Sequence, residues 1–532
     1  MHGQIVSFTQ NLEKSYSTGM DSIHTILRSA KHFFCATFIS RVSGFCRDMA
    51  MAFCLGSSAE VGAFLVAFRL ANLFRRLLGE GNLQAGFVPQ FESFRGSGFA
   101  RAVHFYREAA LSLTLLSLAV ILICEGVLWS IFDLLDPSWQ QIASLTMWML
   151  PGLLFICLSG LNQALLQSQK KYFLPAVTPV VFNGVWIIAA IYSKTITALA
   201  IWVTIGAALQ WVISSFYVKK EFFGVQRCKR RYFSPDCLQL IRLMTLGLMG
   251  IAAAQLNSAL DAIFARVADL SGPVYLWYAV RLQHLPLALF GLALSGALLP
   301  PLSRAIQNQE MDRFEVFLDS ALRRAALLII PSSFGLIALG GAGLNVLYRH
   351  GHFSIDDVQR TLECLWAYAI GLIPSAFVLL LSQAFYAKNL YWVPARTAFV
   401  SVLANMMLNA IFVFVFKWGA LSIALATSLS SILNCYLLIR PLWLNLTPLL
   451  VRLCGRLTIA SSLAAFLTLL VQYGVFGGLA LTGWDQGIQL CSLGGIYLGA
   501  LLGSLYLLRV GEGKQLLIEI FQVKKPPLSL ED

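Results

Sequence analysis

The chain has 532 residues, 58% of them apolar and only 12% charged, against roughly 25% charged in an ordinary soluble domain. That balance excludes a plain soluble globule and points to a membrane protein built from repeated apolar helices. The net charge of +13 does not read as a nucleic-acid surface, because the basic residues sit in short clusters between apolar segments, the pattern that orients a membrane protein.

The first thirty residues are polar and hold no apolar core of a cleavable signal, so the first apolar helix is expected to serve as the insertion signal. Breaking the chain at charge clusters, Gly/Pro and polar turns gives fourteen candidate spans. They are 32–54, 58–78, 108–132, 142–168, 174–193, 196–218, 238–264, 274–302, 325–347, 363–387, 394–416, 420–439, 456–478 and 486–508. Interior prolines at Pro151, Pro179, Pro286 and Pro374 are tolerable in a bundle, where neighbours or water satisfy the freed backbone groups.

The connections alternate in charge. Basic ones include Lys14, Arg28 and Lys31; Arg95, Arg101 and Arg107; Lys170 and Lys171; Lys219 through Arg231; Arg304 to Arg324; Arg440 to Arg456; and the C-terminal Lys514, Lys524 and Lys525. The intervening connections are acidic, bare or balanced, as where Arg349 and Arg360 meet Asp356 and Asp357. The positive-inside bias therefore places both termini in the cytoplasm.

The predicted fold class is an all-α polytopic membrane protein with about fourteen transmembrane helices, in two six-helix lobes related by a pseudo-twofold, plus a C-terminal helix pair. The expected division is a polar cytoplasmic segment 1–31, a first lobe 32–218, a basic cytoplasmic linker 219–237 and a second lobe 238–439. A last pair, 440–508, and a cytoplasmic tail, 509–532, follow. A short repeat supports two lobes. Ala67-Phe68-Arg69-Leu70 precedes Pro89 as Ala279-Val280-Arg281-Leu282 precedes Pro301, with an Arg-to-Pro separation of 20 in both copies.

Charge inside the spans marks the candidate site. Arg41, Arg47, Arg69, Arg75 and Arg76 crowd into the stretch Ser40–Pro89, where an intramembrane charge costs several kcal/mol unless it lines water or meets a partner. On a helix, Arg41 and Asp48 share a face and Arg47 points about 120° away, so Asp48 is not expected to face Arg47. Arg69, Asn72, Arg76 and Glu80 form one polar stripe, with Arg76–Glu80 an i,i+4 pair. Arg47, Arg75 and Arg281 have no acidic neighbour three or four residues away. Guanidiniums so placed imply an anionic ligand, and several of them suit a lipid-linked pyrophosphate. An organic-cation exporter would instead need intramembrane carboxylates, and the spans offer arginines.

Other chemistry finds little support. The eleven cysteines include no Cys-x-x-Cys pair and read as small hydrophobes. Arg349-His350-Gly351-His352 supplies two histidines and no third ligand, so no metal is expected. The chain has no P-loop, Gly-x-Ser-x-Gly or zincin motif, and it is read as a transporter without cofactor rather than an enzyme.

Ser40-Arg41-x-x-Gly44-x-x-Arg47-Asp48, Val66-Ala67-Phe68-Arg69-Leu70-x-Asn72-Leu73-x-Arg75-Arg76-x-x-x-Glu80-Gly81 and Phe87-Val88-Pro89 together resemble the signature of the MurJ (MviN) family. Tyr278-Ala279-x-Arg281-Leu282, Leu299-Pro300-x-Leu302-Ser303, Gly351-x-Phe353 and Ala384-Phe385-Tyr386-Ala387 agree. The resemblance implies a lipid II flippase of the MOP exporter superfamily in the bacterial inner membrane, needed for peptidoglycan and cell shape. It further implies Arg41, Arg47, Arg75 and Arg281, with Asn72, as substrate-binding residues. Arg76, Glu80, Asp48 and Arg69 would be structural or gating residues. Lipid II would be the cargo, with membrane lipids around it, cell-wall synthesis or division proteins as candidate partners, and no nucleic acid. A flippase for another polyprenyl-pyrophosphate glycan, a multidrug or organic-ion exporter of the same superfamily, and a non-transporting scaffold are the alternatives. The family commonly carries aspartate where this chain has Gly62 and Val280, so its site is expected to be more positive than usual.

Overall fold

The computed structural model describes residues 23–79, 82–169, 171, 173–222, 234–442, 448–479 and 483–508. Glu80, Gly81, most of the basic linker, the polar segment before residue 23 and the tail after residue 508 lie outside the described residues, as does the side chain of Arg76. The expected Arg76–Glu80 pair therefore lies outside them too.

Every regular element among the described residues is helical. The first group is α1 (Ile23–Leu55), α2 (Ala59–Ala71), α3 (Leu73–Leu78), α4 (Asn82–Ser97), α5 (Phe99–Ile131), α6 (Pro137–Met149), α7 (Gly152–Ser168), α8 (Phe173–Tyr192) and α9 (Ile196–Glu221). The second is α10 (Pro235–Ala268), α11 (Gly272–Pro286), α12 (Ala293–Gln307), α13 (Met311–Tyr348), α14 (Ile355–Ala387), α15 (Trp392–Ala410), α16 (Leu421–Ile439), α17 (Pro448–Gly474) and α18 (Trp484–Leu507). In a bilayer core only such a segment satisfies all its own backbone groups, which is why apolar runs of this length fold this way. Eleven helical segments among the described residues are long and apolar enough to cross a membrane. The other three expected spans fall on α1, on the broken pair α2–α3 and on α10.

Local signals set the helix ends. Ser58 caps α2 by accepting from Val61 N at 3.3 Å, and Thr195 caps α9 from Ala198 N at 3.2 Å. Ser354 and Asp357 form a capping box at the start of α14. Pro286 withdraws a backbone donor where α11 gives way to a π-helical turn over Leu287–Leu292.

The chain divides into two compact units. Unit 1 comprises residues up to Asp48, Phe74–Ile131 and Met147–Leu246, and unit 2 comprises Met49–Leu73, Phe132–Thr146 and Gly247 onward. Unit 1 is cemented by Phe87, Phe91 and Phe105 against Leu153, Cys157, Leu161 and Leu165 of α7. There α7 approaches the turn after α3 so closely that a Cβ on Gly160 would land on Gly79 O.

In unit 2, α14 packs against α11, α12, α13 and α16. Ser428 Oγ of α16 donates to Ala367 O at 2.6 Å, a crossing that a side chain at Gly371 would block. The last two helices lie on α13, where Tyr497 OH donates to Pro331 O at 2.6 Å.

The loop after α13 is tied to the end of α1. His352 N donates to Phe53 O at 3.0 Å, and Asp357 accepts from Ser57 Oγ and, at 3.3 Å, from Tyr275 OH. Gly351 has φ +60°, and a Cβ there would strike Phe53 O, so both backbone and space require glycine. Gly62 is required by space alone, since a Cβ would fall on Leu270 O. Gly351→Ala and Gly62→Ala should each cost about 1–3 kcal/mol, from αL strain or a forced backbone shift. Thermal unfolding of the purified protein in detergent checks this, and wild-type midpoints for both would contradict these close approaches.

Candidate functional site

The arginines do not all behave as sequence spacing implied. In unit 1, Arg47 and Asp48 are both buried, with side chains 9% and 1% exposed. Arg47 Nε and Nη2 donate to Asp48 Oδ1 at 3.0 and 2.7 Å. This corrects the expectation that Asp48 does not face Arg47. Cβ directions on a helix diverge, but an arginine has enough torsions to turn its head back, and burial makes an uncompensated charge costly enough to force it.

Around that pair a small cage is built from α8. Arg47 Nη1 donates to Asn183 Oδ1 at 3.1 Å, Asn183 Nδ2 donates to Ser43 Oγ at 2.8 Å, and the guanidinium lies 4.6 Å from the Trp186 ring centroid. Arg41, which was expected to share a face with Asp48, is exposed on α1. Arg75 sits partly buried on α3.

In unit 2 the expected stripe from Arg69 onward is broken, because α2 ends at Ala71. Asn72 is the residue at the break: its backbone leaves the helical conformation at φ −91°, ψ 1°, its N makes the last helical bond to Phe68 O at 3.1 Å, and its Nδ2 caps the same carbonyl at 2.8 Å. Arg69 Nη1 reaches α10 and donates to both O and Oγ of Ser258, each at 3.1 Å. Its guanidinium lies 5.8 Å from the Trp277 centroid, and Arg281 lies 4.5 Å from the same centroid. The structure thus brings Arg69 and Arg281 to one indole, and Arg47 to Asp48.

At the Gly62 position a Cβ would fall on Leu270 O, and another arginine fastens the approach. Arg266 Nη1 donates to Ala59 O and Leu270 O, both at 2.6 Å, and Nη2 donates to Ser138 Oγ at 2.9 Å. Helix ends are drawn together there with no room for an aspartate side chain.

Sequence reading missed one buried group. Asp261, near the end of the seventh expected span, is 6% exposed. Its Oδ1 accepts from Asn405 Nδ2 at 2.7 Å and Asn409 Nδ2 at 2.8 Å, and its Oδ2 from Asn257 Nδ2 at 3.1 Å and Thr427 Oγ1 at 3.5 Å. The spans therefore hold a buried carboxylate as well as arginines, contrary to the expectation of arginines in place of carboxylates. Two polar pairs at i,i+4 spacing, Asn257/Asp261 and Asn405/Asn409, were the signal. The amide nitrogens face the carboxylate, so Asp261 is hydrogen-bonded from its own helix and from α15 and α16.

A multi-helix membrane bundle with arginines held inside each of two units defines the class, and the solved structures it resembles define the fold. A multidrug-resistance MATE transporter of the MOP superfamily, in an inward-facing conformation, matches with TM-score 0.61 at 14% identity, over 80% of this chain and 99% of that one. A structure described as lipid II flippase MurJ, inward closed conformation, matches with TM-score 0.71 at 26% identity, over 90% and 98%. Residues 51–490 match the family described as lipid II flippase MurJ, and the chain belongs to that family. Among curated relatives, a probable lipid II flippase MurJ of Chlamydia trachomatis is 33% identical over 426 residues, covering 77% of each chain. The lipid II flippase MurJ of Burkholderia cenocepacia is 29% identical over 420 residues, covering 76% of this chain and 81% of its own. Arg75 and Arg281 lie inside the matched stretch, and Arg41 and Arg47 lie just before it.

Removing the Asp48 carboxylate takes a counter-charge from a buried guanidinium. Asp48→Ala should destabilise the protein by about 3–5 kcal/mol, and the double change Arg47→Met, Asp48→Ala should recover most of the loss. Thermal unfolding of the three variants measures this. An Asp48→Ala protein as stable as wild type would show that the pair does not hold α1 in place.

Proposed function

We propose that this chain is a lipid II flippase of the bacterial cytoplasmic membrane. It moves the undecaprenyl-pyrophosphate-linked precursor from the cytoplasmic to the outer leaflet by alternating access. The observation that carries this reading is the family match over residues 51–490, joined to relatives named for that activity. Arg41, Arg47, Arg75 and Arg281 capture the pyrophosphate and adjoining headgroup while the polyprenyl tail stays in lipid. A planar fork that meets two phosphate oxygens at once makes arginine the residue for this task. Asp48 holds Arg47 in the empty carrier and yields it to the anion. Both termini and the basic connections face the cytoplasm. A membrane potential positive outside favours outward movement of the anionic headgroup by about 2.3 kcal/mol per charge per 100 mV.

The test is leaflet accessibility of labelled lipid II in cells depleted of this protein, with wild type, Arg47→Ala or Arg281→Ala returned. Wild type should restore exposure in the outer leaflet, and each alanine variant should lose at least about tenfold, the effect of removing one charge-assisted phosphate contact. An alanine variant that translocates like wild type removes that arginine from the site. Depletion that stalls a different glycolipid and leaves lipid II moving overturns the substrate.

The orientation has its own check. Reporter fusions after residues 226 and 532 should be active only with a reporter that works in the cytoplasm. Activity of a periplasmic reporter at either point contradicts the assignment.

A further inference from the structure

Trp277 is unusual among the buried aromatics of unit 2 in meeting two cations. It is 8% exposed, with its ring edge-to-face against Phe68 at 5.9 Å. Phe68 is in turn stacked on Phe64 at 6.4 Å. The indole therefore has a fixed backing. Arg281 follows Trp277 by one helical turn on α11, so the two side chains share a face, and the guanidinium lies 4.5 Å from the ring centroid. Arg69 comes from α2 to 5.8 Å from the same ring and is fixed on its other side by its two hydrogen bonds to Ser258.

An aromatic face attracts a guanidinium and fixes the plane of its fork without adding an opposite charge. A carboxylate neighbour would orient the arginine too, but it would compete with an incoming anion. Position 280, beside Arg281, is valine. The indole is a contact of Arg281 that orients the guanidinium without itself opposing its charge.

We propose that Trp277 is the positioning residue that presents Arg281 to the pyrophosphate, with Arg69 bracing the indole from α2. The inference rests on the reading of Arg281 as a substrate contact. Trp277 itself touches no phosphate in this account. It reduces the orientations Arg281 must give up when the anion binds, so its loss appears as weaker binding.

The test is equilibrium binding of fluorescent lipid II to the purified full-length protein in nanodiscs, by anisotropy. Wild type is compared with Trp277→Phe, Trp277→Leu, Arg281→Ala and the double variant Trp277→Leu, Arg281→Ala. Trp277→Leu keeps an apolar side chain and loses the π-face, and it should bind about tenfold more weakly. Trp277→Phe should stay within about threefold of wild type. In the Arg281→Ala background, Trp277→Leu should add less than about twofold, because the two residues act as one unit. If Trp277→Leu does not fold, Trp277→Met supplies the same loss of the π-face.

Wild-type binding by Trp277→Leu alongside weak binding by Arg281→Ala overturns the positioning role and leaves the flippase reading standing. Equal losses in Trp277→Phe and Trp277→Leu, or an undiminished Trp277→Leu effect without Arg281, also overturn it. Wild-type binding by Arg281→Ala defeats the substrate contact itself, and with it the role of Trp277.

Discussion

A guanidinium keeps its charge at any pH a cell reaches, so a helix bundle that encloses one must provide oxygen acceptors, an aromatic face or both. Each unit of this protein meets that demand. Arg47 is held by Asp48 and Asn183 and lies over Trp186, 4.6 Å from its centroid. Arg281 lies over Trp277 at 4.5 Å, and Arg69 takes the carbonyl and hydroxyl of Ser258 before reaching the same ring. The first includes the carboxylate of Asp48, and the second includes the indole of Trp277.

The helices are shaped around these contacts. The α2 helix ends just past Arg69, at Asn72, so the arginine projects from the last turn of a short helix toward α10. Gly62 lets α2 settle against Leu270 O, and Arg266 fastens that approach with two backbone carbonyls and Ser138. Asp261 organises α10, α15 and α16 through four donors, giving unit 2 a buried polar centre that satisfies the carboxylate. Packing by glycine and serine contacts, as at Gly371 and Ser428, brings helices close where lipid gives no hydrophobic drive between them.

Hydropathy and loop charge made the all-helical membrane fold legible, because both are sums over many residues and tolerate local errors. The signature around Arg41, Arg47, Arg75 and Arg281 made the family legible, and residues 51–490 bear that out. Side-chain pairing was less accessible. Spacing rules describe Cβ directions, and Arg47 shows how far a long side chain departs from them when it is buried. Trp186 and Asn183 come to Arg47 from α8, and Asn405, Asn409 and Thr427 come to Asp261 from α15 and α16. Such partners are remote in sequence, so no local pattern names them. The break at Asn72 was hidden for another reason, since a single amide capping a helix leaves the apolar pattern on either side intact.

The central claim is that arginines oriented in this way receive a pyrophosphate. The most direct measurement is an experimental structure of the full-length protein with lipid II bound in a lipid nanodisc. The prediction is a pyrophosphate oxygen within about 3.2 Å of the guanidinium of Arg281, with Arg281 still seated on Trp277. A bound lipid II whose pyrophosphate lies away from Arg281 would contradict it.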